Sequence, residues 1–322
     1  MVIENIEEKY SVGALMYSPA SNNTIANTVV QGKLGNKYSL ALCLEDTIAS
    51  DMVEIAEQQV KQTLKQIYEA FNSKEMYLPK IFIRVREPEQ MGRVFAQVRE
   101  YQTVLSGFIF PKYTVTNAHL YNEELLKIND SSMKKLYMMP ILESKDIVDF
   151  SSRSEVLGEI KDQIDAVNTY VLNVRVGGND FSNEFSSRRH YDETIYDILP
   201  IAQLLSDILT VFSREYVVSG PVWEFFSSDN DEWKIGLQKE LKLDKLNGFI
   251  GKTVIHPKQI PVVNEMLKVA RKDYEDAKSI LSWDNSGLQV GKSYGGERMN
   301  EVRTHYNWAK KMLLLSELYG IL

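Results

Sequence analysis

Several short apolar runs in this chain end in ionisable residues. The run 136–142 (LYMMPIL) leads into Glu143, and the run 170–177 (YVLNVRVG) leads into Asn179 and Asp180. If both runs are strands of one sheet, their backbones lie about 4.8 Å apart. Two carboxylates that close repel each other unless a cation lies between them. Magnesium commonly takes one or two protein carboxylates and completes its octahedron with water and substrate oxygens. Glu143 and Asp180 are therefore candidate Mg2+ ligands, the alternative being that each caps a helix or pairs with an arginine. The run 81–86 (IFIRVR) places Arg84 and Arg86 on one face and Ile81, Ile83 and Val85 on the other. The two guanidiniums need anionic partners. A substrate carboxylate, gripped in a bidentate fork, is one candidate; Glu45 and Asp46, at the end of the run 39–45, are the other. Lys112 ends the run 107–112 (GFIFPK). Arg175 alternates with Asn173 and suits either a ligand contact or a buried partner for the same acids.

These groups need a frame that brings them to one rim. Eight apolar runs, 13–18, 39–45, 81–86, 107–112, 136–142, 170–177, 215–222 and 251–256, are separated by stretches of helical periodicity. Residues 51–71, 89–104, 198–212 and 257–281 are such stretches, the last opened by Pro257. Strand–helix alternation of this kind predicts a (β/α)8 barrel, whose active site lies at the C-terminal ends of the strands. An open doubly wound sheet is the alternative, but no Gly-x-Gly-x-x-Gly follows the first run. Residues 283–296 read as a glycine-rich loop and about 300–318 as a last helix. The chain thus divides into a catalytic barrel, 1–282, and a loop-and-helix extension, 283–322, that packs outside the barrel or reaches a neighbouring subunit.

The loop FSNEFSSRRHYDE after the sixth run brings Arg188, Arg189 and His190 toward the same rim. They could bind a second carboxylate or a phosphate, or form a solvated loop. Trp223 stacks on a substrate ring or packs under a loop. His256 reads as structural, and His119 and His305 as helix residues. With 322 residues, 44% hydrophobic, and a net charge of −7, the chain has enough apolar residues for a sizeable core and lacks the basic excess of a nucleic-acid binder. The single cysteine, Cys43, excludes an intrachain disulfide and a Cys-rich zinc site, and its apolar setting suggests a buried thiol. Met1–Tyr10, with Glu4, Glu7 and Glu8, lacks the basic start of a signal peptide, and no run approaches the ~18 apolar residues of a membrane span. A cytoplasmic protein without membrane or nucleic-acid partners is expected.

The same segments, in order along nearly the whole chain, resemble the superfamily of the citrate lyase β subunit, malyl-coenzyme A lyases and 2-oxo-acid aldolases. LMYSPASNN resembles its opening strand and turn, LCLEDTI its Leu-Glu-Asp motif, IRVR its Val-Arg-Val-Asn strand and FIFPK its Leu-Pro-Lys strand. PILES resembles its Ile-Glu-Thr motif and GGNDF its Gly-x-x-Asp-Leu motif. GKTVIHPKQI resembles Gly-Lys-x-x-Ile-His-Pro-x-Gln and is the most specific string. The overall pattern is most similar to the divergent barrel lyases of tellurite-resistance-type gene clusters. The resemblance implies Glu143 and Asp180 as magnesium ligands, Arg84 on substrate oxygens, Lys112 as a matching rim residue, and Glu45 and Asp46 near the chemistry. It also implies a metal-stabilised enolate formed as a carbon–carbon bond breaks or is made, and a trimer or hexamer. Departures are Gly13 in place of an opening arginine, Arg86 in place of asparagine, Ser219 near a missing acid, and a longer stretch from Glu143 to Asp180. Glu301, in GGERMNEVRTH, falls where acyl-coenzyme A members carry a catalytic aspartate, often supplied to a neighbouring subunit.

The expected function is a Mg2+-dependent carbon–carbon lyase or aldolase acting on a 2-oxo or 3-hydroxy acid, with phosphorylated and coenzyme A-linked substrates left open. A transferase or hydrolase that keeps enolate chemistry and a non-catalytic barrel that binds a metabolite or partner are the competing readings.

Overall fold

The computed structural model describes residues 6–284 and 287–322. Glu4, in the acidic N-terminal stretch, and residues 285–286, inside the expected loop, lie outside the described residues. One eight-stranded sheet runs in the order β7-β6-β5-β4-β3-β2-β1-β8. Its strands are β1 (Ala14–Pro19), β2 (Tyr38–Cys43), β3 (Lys80–Arg84), β4 (Leu105–Phe110), β5 (Tyr137–Leu142), β6 (Val174–Val176), β7 (Val218–Ser219) and β8 (Lys252–Val254). Every paired neighbour is parallel. The two edges meet through a Gly220–Lys252 bridge and an Ile250 N–H bond to the Val218 carbonyl (2.9 Å), so the sheet nearly closes into a barrel.

The helices in chain order are α1 (Ile6–Tyr10), α2 (Ile25–Val30), α3 (Val53–Ser73), α4 (Pro88–Val98), α5 (Ala118–Ser131), α6 (Arg153–Asp165), α7 (Gly178–Glu184), α8 (Leu199–Phe212), α9 (Glu232–Asn247), α10 (Gln259–Leu267), α11 (Arg271–Leu281) and α12 (Val302–Tyr319). At least one helix follows each barrel strand, which is the (β/α)8 order expected from the periodicity. Helix α3 shows why the helices stay on the sheet. Its buried Ala56, Val60, Leu64 and Ile67 recur at helical spacing along one face. Strand alternation divides the core into two shells. Ile81, Ile83 and Val85 join the layer between sheet and helices, while Leu15, Ala41, Phe82, Ile109, Met139 and Leu172 fill the barrel interior. Each such side chain contributes roughly 1.5–3 kcal/mol of burial. Cys43 is a buried free thiol.

The N-terminal mouth of the barrel is plugged by the chain's own ends. Val12 packs in the interior cluster, and its carbonyl accepts the Ser39 hydroxyl at 2.8 Å. The Lys9 carbonyl accepts from Asn173 (2.8 Å), the Tyr10 carbonyl accepts from Tyr319 (2.8 Å), and Glu8 pairs with the Tyr137 hydroxyl. On the wall, β4 approaches β5 so closely at Gly107 (φ +153°) that a β-carbon there would lie 1.9 Å from the Tyr137 carbonyl oxygen. Gly107→Ala is therefore expected to destabilise the fold by about 3 kcal/mol. A urea midpoint equal to that of the wild type would show that the strands can separate locally.

The structure departs from the sequence reading at several places, among them a seventh strand shortened to Val218–Ser219 and a 3-10 segment, Arg99–Val104, that ends the stretch 89–104. Residues 168–170 form a 3-10 turn, so β6 starts late, at Val174. The stretch 257–281 is two helices rather than one, because Val269 leaves the helical path and pairs its backbone with Gly320 and Leu322. Within the expected loop 283–296, Val290–Lys292 pairs antiparallel with Met299–Glu301 as β9 and β10. Asp276 of α11 fixes that hairpin, accepting from Asn300 (3.0 Å), Arg298 Nη2 (2.7 Å) and the Tyr294 N–H (2.6 Å). The last helix, α12, packs on α11 through Ala309, Met312 and Leu315. No helix of the described residues is long and apolar enough to cross a membrane.

Candidate active site

The C-terminal ends of the strands surround a cavity of about 220 Å³ lined by Tyr17, Arg84, Glu143, Arg175, Asp180 and Thr253, among others. A larger cleft, about 380 Å³, lies between α8 and α9, but no charged side chain lines it. The ionisable strand-end residues Arg84, Glu143 and Asp180 come together at the barrel mouth.

Strand β5 stops at Leu142 and delivers Glu143, 5% exposed, to the cavity wall. Its Oε1 accepts Arg84 Nη2 at 3.2 Å and the Lys112 N–H at 3.0 Å. That N–H is turned inward because Lys112 adopts a left-handed conformation (φ +47°), uncommon for a side-chain-bearing residue and worth its strain at a functional turn. Asn117 holds the turn by donating to the Lys112 carbonyl at 2.9 Å. Across the cavity, β6 ends at Val176 and α7 starts at Gly178, which puts Asp180 in the helix's first turn, where the helix dipole favours an acid. The cavity wall thus receives its two acids from adjacent strand ends.

Arg84 ends β3 and is the electrostatic hub. Its Nη2 lies 2.7 Å from Glu45, 3.1 Å from Asp46 and 3.2 Å from Glu143. Lys112 Nζ closes the network, 2.6 Å from Glu45 and 3.3 Å from Asp46. Burial pushes the Glu143 carboxyl up to about 8, opposed by Arg84 and the Lys112 N–H and reinforced by Asp180 and Glu45. Burial also raises Glu45, against the pull of Arg84. Asp46 moves down: burial works against its charge, but the hydrogen bond with Glu45 and the neighbouring Arg84 and Lys112 prevail. Tyr17, with Arg84 5.8 Å from its ring centre, is raised to about 12 by burial.

The donor set fits a hard cation. Among the described residues, no group of three or more His, Cys, Asp and Glu side chains could hold a metal. Magnesium needs fewer protein ligands. Glu143 Oε2 lies on the Gly177 side and accepts no hydrogen bond from the described residues. Gly177 leaves that oxygen its space: a β-carbon there would lie 2.3 Å from Glu143 Cβ and 2.7 Å from Oε2. Gly177→Ala is accordingly expected to displace Glu143 and lower magnesium affinity at least about tenfold. Calorimetry returning the wild-type affinity would show that Oε2 has no part in holding a cation.

Other expected site residues are placed differently. Arg86 shares the inward face with Arg84, but β3 has already ended, and its Nη1 donates to the carbonyls of Leu44 (3.2 Å), Glu45 (3.4 Å) and Ile48 (2.9 Å). It braces the loop that carries Glu45 and Asp46 instead of reaching the cavity. Arg189 is buried under Trp223, its guanidinium 5.1 Å from the ring centre. It donates to the Val222 carbonyl at 2.5 Å and lies 3.5 Å from Glu240, which also binds Lys252 at 2.9 Å. Its place is inside the wall, not on a substrate. Trp223 is fully buried and donates to the Trp233 carbonyl (3.1 Å). Arg188 is exposed, pairs with Glu224 at 3.3 Å, and lines a neighbouring polar cleft with Asn179. Glu301 ends β10 in the tail hairpin and does not line the cavity of its own chain. His256 stacks on Phe226, ring centres 4.9 Å apart. Tyr17 and Thr253 line the cavity and were not singled out from sequence. Both are ordinary strand residues, and only closure of the barrel turns them to the site.

The arrangement is shared with known proteins at the level of fold. CitE from Mycobacterium tuberculosis, solved with magnesium, acetoacetate and coenzyme A, superposes with a TM-score of 0.61 over 96% of this chain and 99% of its own, at 15% identity. The citrate lyase β subunit of the same organism, solved with oxaloacetate and magnesium, gives 0.52 over 81% and 99%, also at 15% identity. RipC from Yersinia pestis gives 0.53 over 80% and 95%, at 14% identity. No curated protein sequence matches the chain. The sequence profile of the C–C bond lyases of the TIM-barrel fold matches residues 6–321. With nearly its whole length matched and the barrel closed around the acid- and arginine-lined mouth, the chain belongs to that family of C–C bond lyases.

Proposed function

We propose that the chain is a magnesium-dependent carbon–carbon lyase or aldolase acting on a 2-oxo or 3-hydroxy acid. The carrying observation is the buried Glu143, on which the charge of Asp180 acts from the same cavity wall, with Oε1 bonded and Oε2 accepting no hydrogen bond among the described residues. Glu143 and Asp180 would hold Mg2+, which when bound supplies a Lewis acid for oxygens of the substrate. Arg84 opposes negative charge developing on a substrate oxygen, and its position is preset by three carboxylates, so little reorganisation accompanies the reaction. Glu45 is raised by burial and sits between Arg84 and Lys112. Glu45 does not itself line the cavity, so it would act through Asp46, which does, to take a proton from the hydroxyl of an aldol adduct and return it in the reverse direction. Lys112 and Asp46 orient Glu45. Glu301 enters only if a neighbouring subunit supplies it, consistent with the proposed trimer or hexamer.

The test uses pyruvate in D2O. A lyase of this type exchanges the C3 protons of a 2-oxo acid in a magnesium-dependent reaction, followed by proton NMR. Exchange with magnesium and none in EDTA is the expected result. If magnesium and oxo acids bind but neither exchange nor cleavage occurs, the barrel is a binding protein and the lyase reading falls.

A further inference from the structure

Arg175 is fully buried on the cavity wall, yet its guanidinium is largely unpartnered. Nη2 donates to Thr253 Oγ1 at 2.8 Å, while Nε and Nη1 are buried without a hydrogen-bond partner. Among the described residues no carboxylate lies within ion-pairing distance of it, although Arg84, on the same wall, touches three. Of the two alternatives for Arg175, that of a buried partner for the rim acids is therefore not met among the described residues. A buried cation without an anion is strongly disfavoured, and the orphaned donors of a native fold call for an explanation. Strand geometry supplies part of it. Arg175 pairs in register with Ile141 and Ser219, and its side chain turns to the interior, where Tyr17 and Thr253 also line the cavity.

We propose that Arg175, flanked by Tyr17 and Thr253, receives a carboxylate of the substrate. The substrate is then a dicarboxylic oxo or hydroxy acid, with one acid end toward Glu143 and Asp180 and the other on Arg175. The second N–H of Nη2, with Nε on one edge or Nη1 on the other, makes a fork that matches the two oxygens of a planar carboxylate. The other arginine of the cavity is already occupied by protein acids, so Arg175 is where a second negative charge is unopposed. This assignment deepens the lyase reading and rests on it for the magnesium end of the substrate only.

The experiment is calorimetry on the full chain with magnesium present, titrating 2-oxoglutarate, L-malate and pyruvate, the last lacking a second carboxylate. Wild-type protein is expected to bind at least one dicarboxylate about tenfold or more tighter than pyruvate. In Arg175→Met that advantage disappears, magnesium and pyruvate affinities stay within about twofold, and the urea midpoint rises because an unpaired buried charge is gone. Arg175→Lys restores part of the advantage. Thr253→Val, which removes a neighbour and keeps the volume, reduces it and provides the test if Arg175→Met does not fold. A dicarboxylate advantage that is absent in the wild type, or survives in Arg175→Met, overturns the assignment. Protein that binds no magnesium but holds dicarboxylates through Arg175 overturns the lyase reading and leaves the assignment standing.

Discussion

Glu143→Gln is expected to lower magnesium affinity at least about a hundredfold and to abolish proton exchange on pyruvate. The fold should survive the change. The two bonds Glu143 makes both go to Oε1, and an amide oxygen can accept them from Arg84 and the Lys112 N–H equally well. What the substitution removes is the negative charge and the Oε2 acceptor on the Gly177 side. It also removes a carboxyl that burial already pushes up to about 8, so the neutral replacement is close to the form the metal-free site prefers at neutral pH. Calorimetry with magnesium and a urea curve on the same preparation check both halves. Wild-type magnesium affinity in a folded Glu143→Gln would remove the metal site from this rim.

Arg84→Met should be the more damaging change to stability, about 3–5 kcal/mol, because it strands buried carboxylates without their cation. Glu45 and Glu143 are nearly buried, their side chains 10% and 3% exposed, and each lies within 3.2 Å of the same nitrogen. The deficit should depend on pH, and the sign follows from the carboxyls. Glu143 and Glu45 are raised in the folded protein, so the folded state holds protons that the unfolded chain releases above its ordinary carboxyl range. Stability from these groups is complete at low pH and is lost as pH climbs toward about 8, the Glu143 value. Without Arg84 both groups rise further. The variant is therefore expected to be nearest the wild type at low pH and to fall progressively further behind it as pH rises past about 8, in EDTA, as read from urea midpoints. A deficit that is flat with pH would mean that Arg84 acts by packing alone.

The barrel was legible because its periodicity is strong. Ile81, Ile83 and Val85 alternate with Phe82 and Arg84 in the sequence, and the same residues divide between the helix-facing shell and the interior. The rim acids were legible because they end strands, and a strand end fixes which mouth of the barrel a side chain serves. What alternation could not give is reach. Arg86 has the correct face, but two residues past the end of β3 its side chain meets the carbonyls of the next loop. Arg189 has a basic residue's usual look of a surface group, and only the packing of α9 against the wall shows that Glu240 claims it. The β9–β10 hairpin was hidden by its glycines, which read as loop until Asp276, distant in sequence, supplies the bonds that order it. The orphaned donors of Arg175 are a property of what is not beside it, which no local pattern encodes.

Among the described residues, the stopper that Glu8, Lys9, Tyr10 and Val12 make closes the lower mouth, and the cavity opens at the upper one. Traffic through such a chamber is queued. Under the proposed cleavage, the fragment lodged nearer the Arg175 end cannot depart before the one nearer the opening, so the two products would leave in fixed sequence. The last to go is then the fragment that competes head-on with the next incoming molecule.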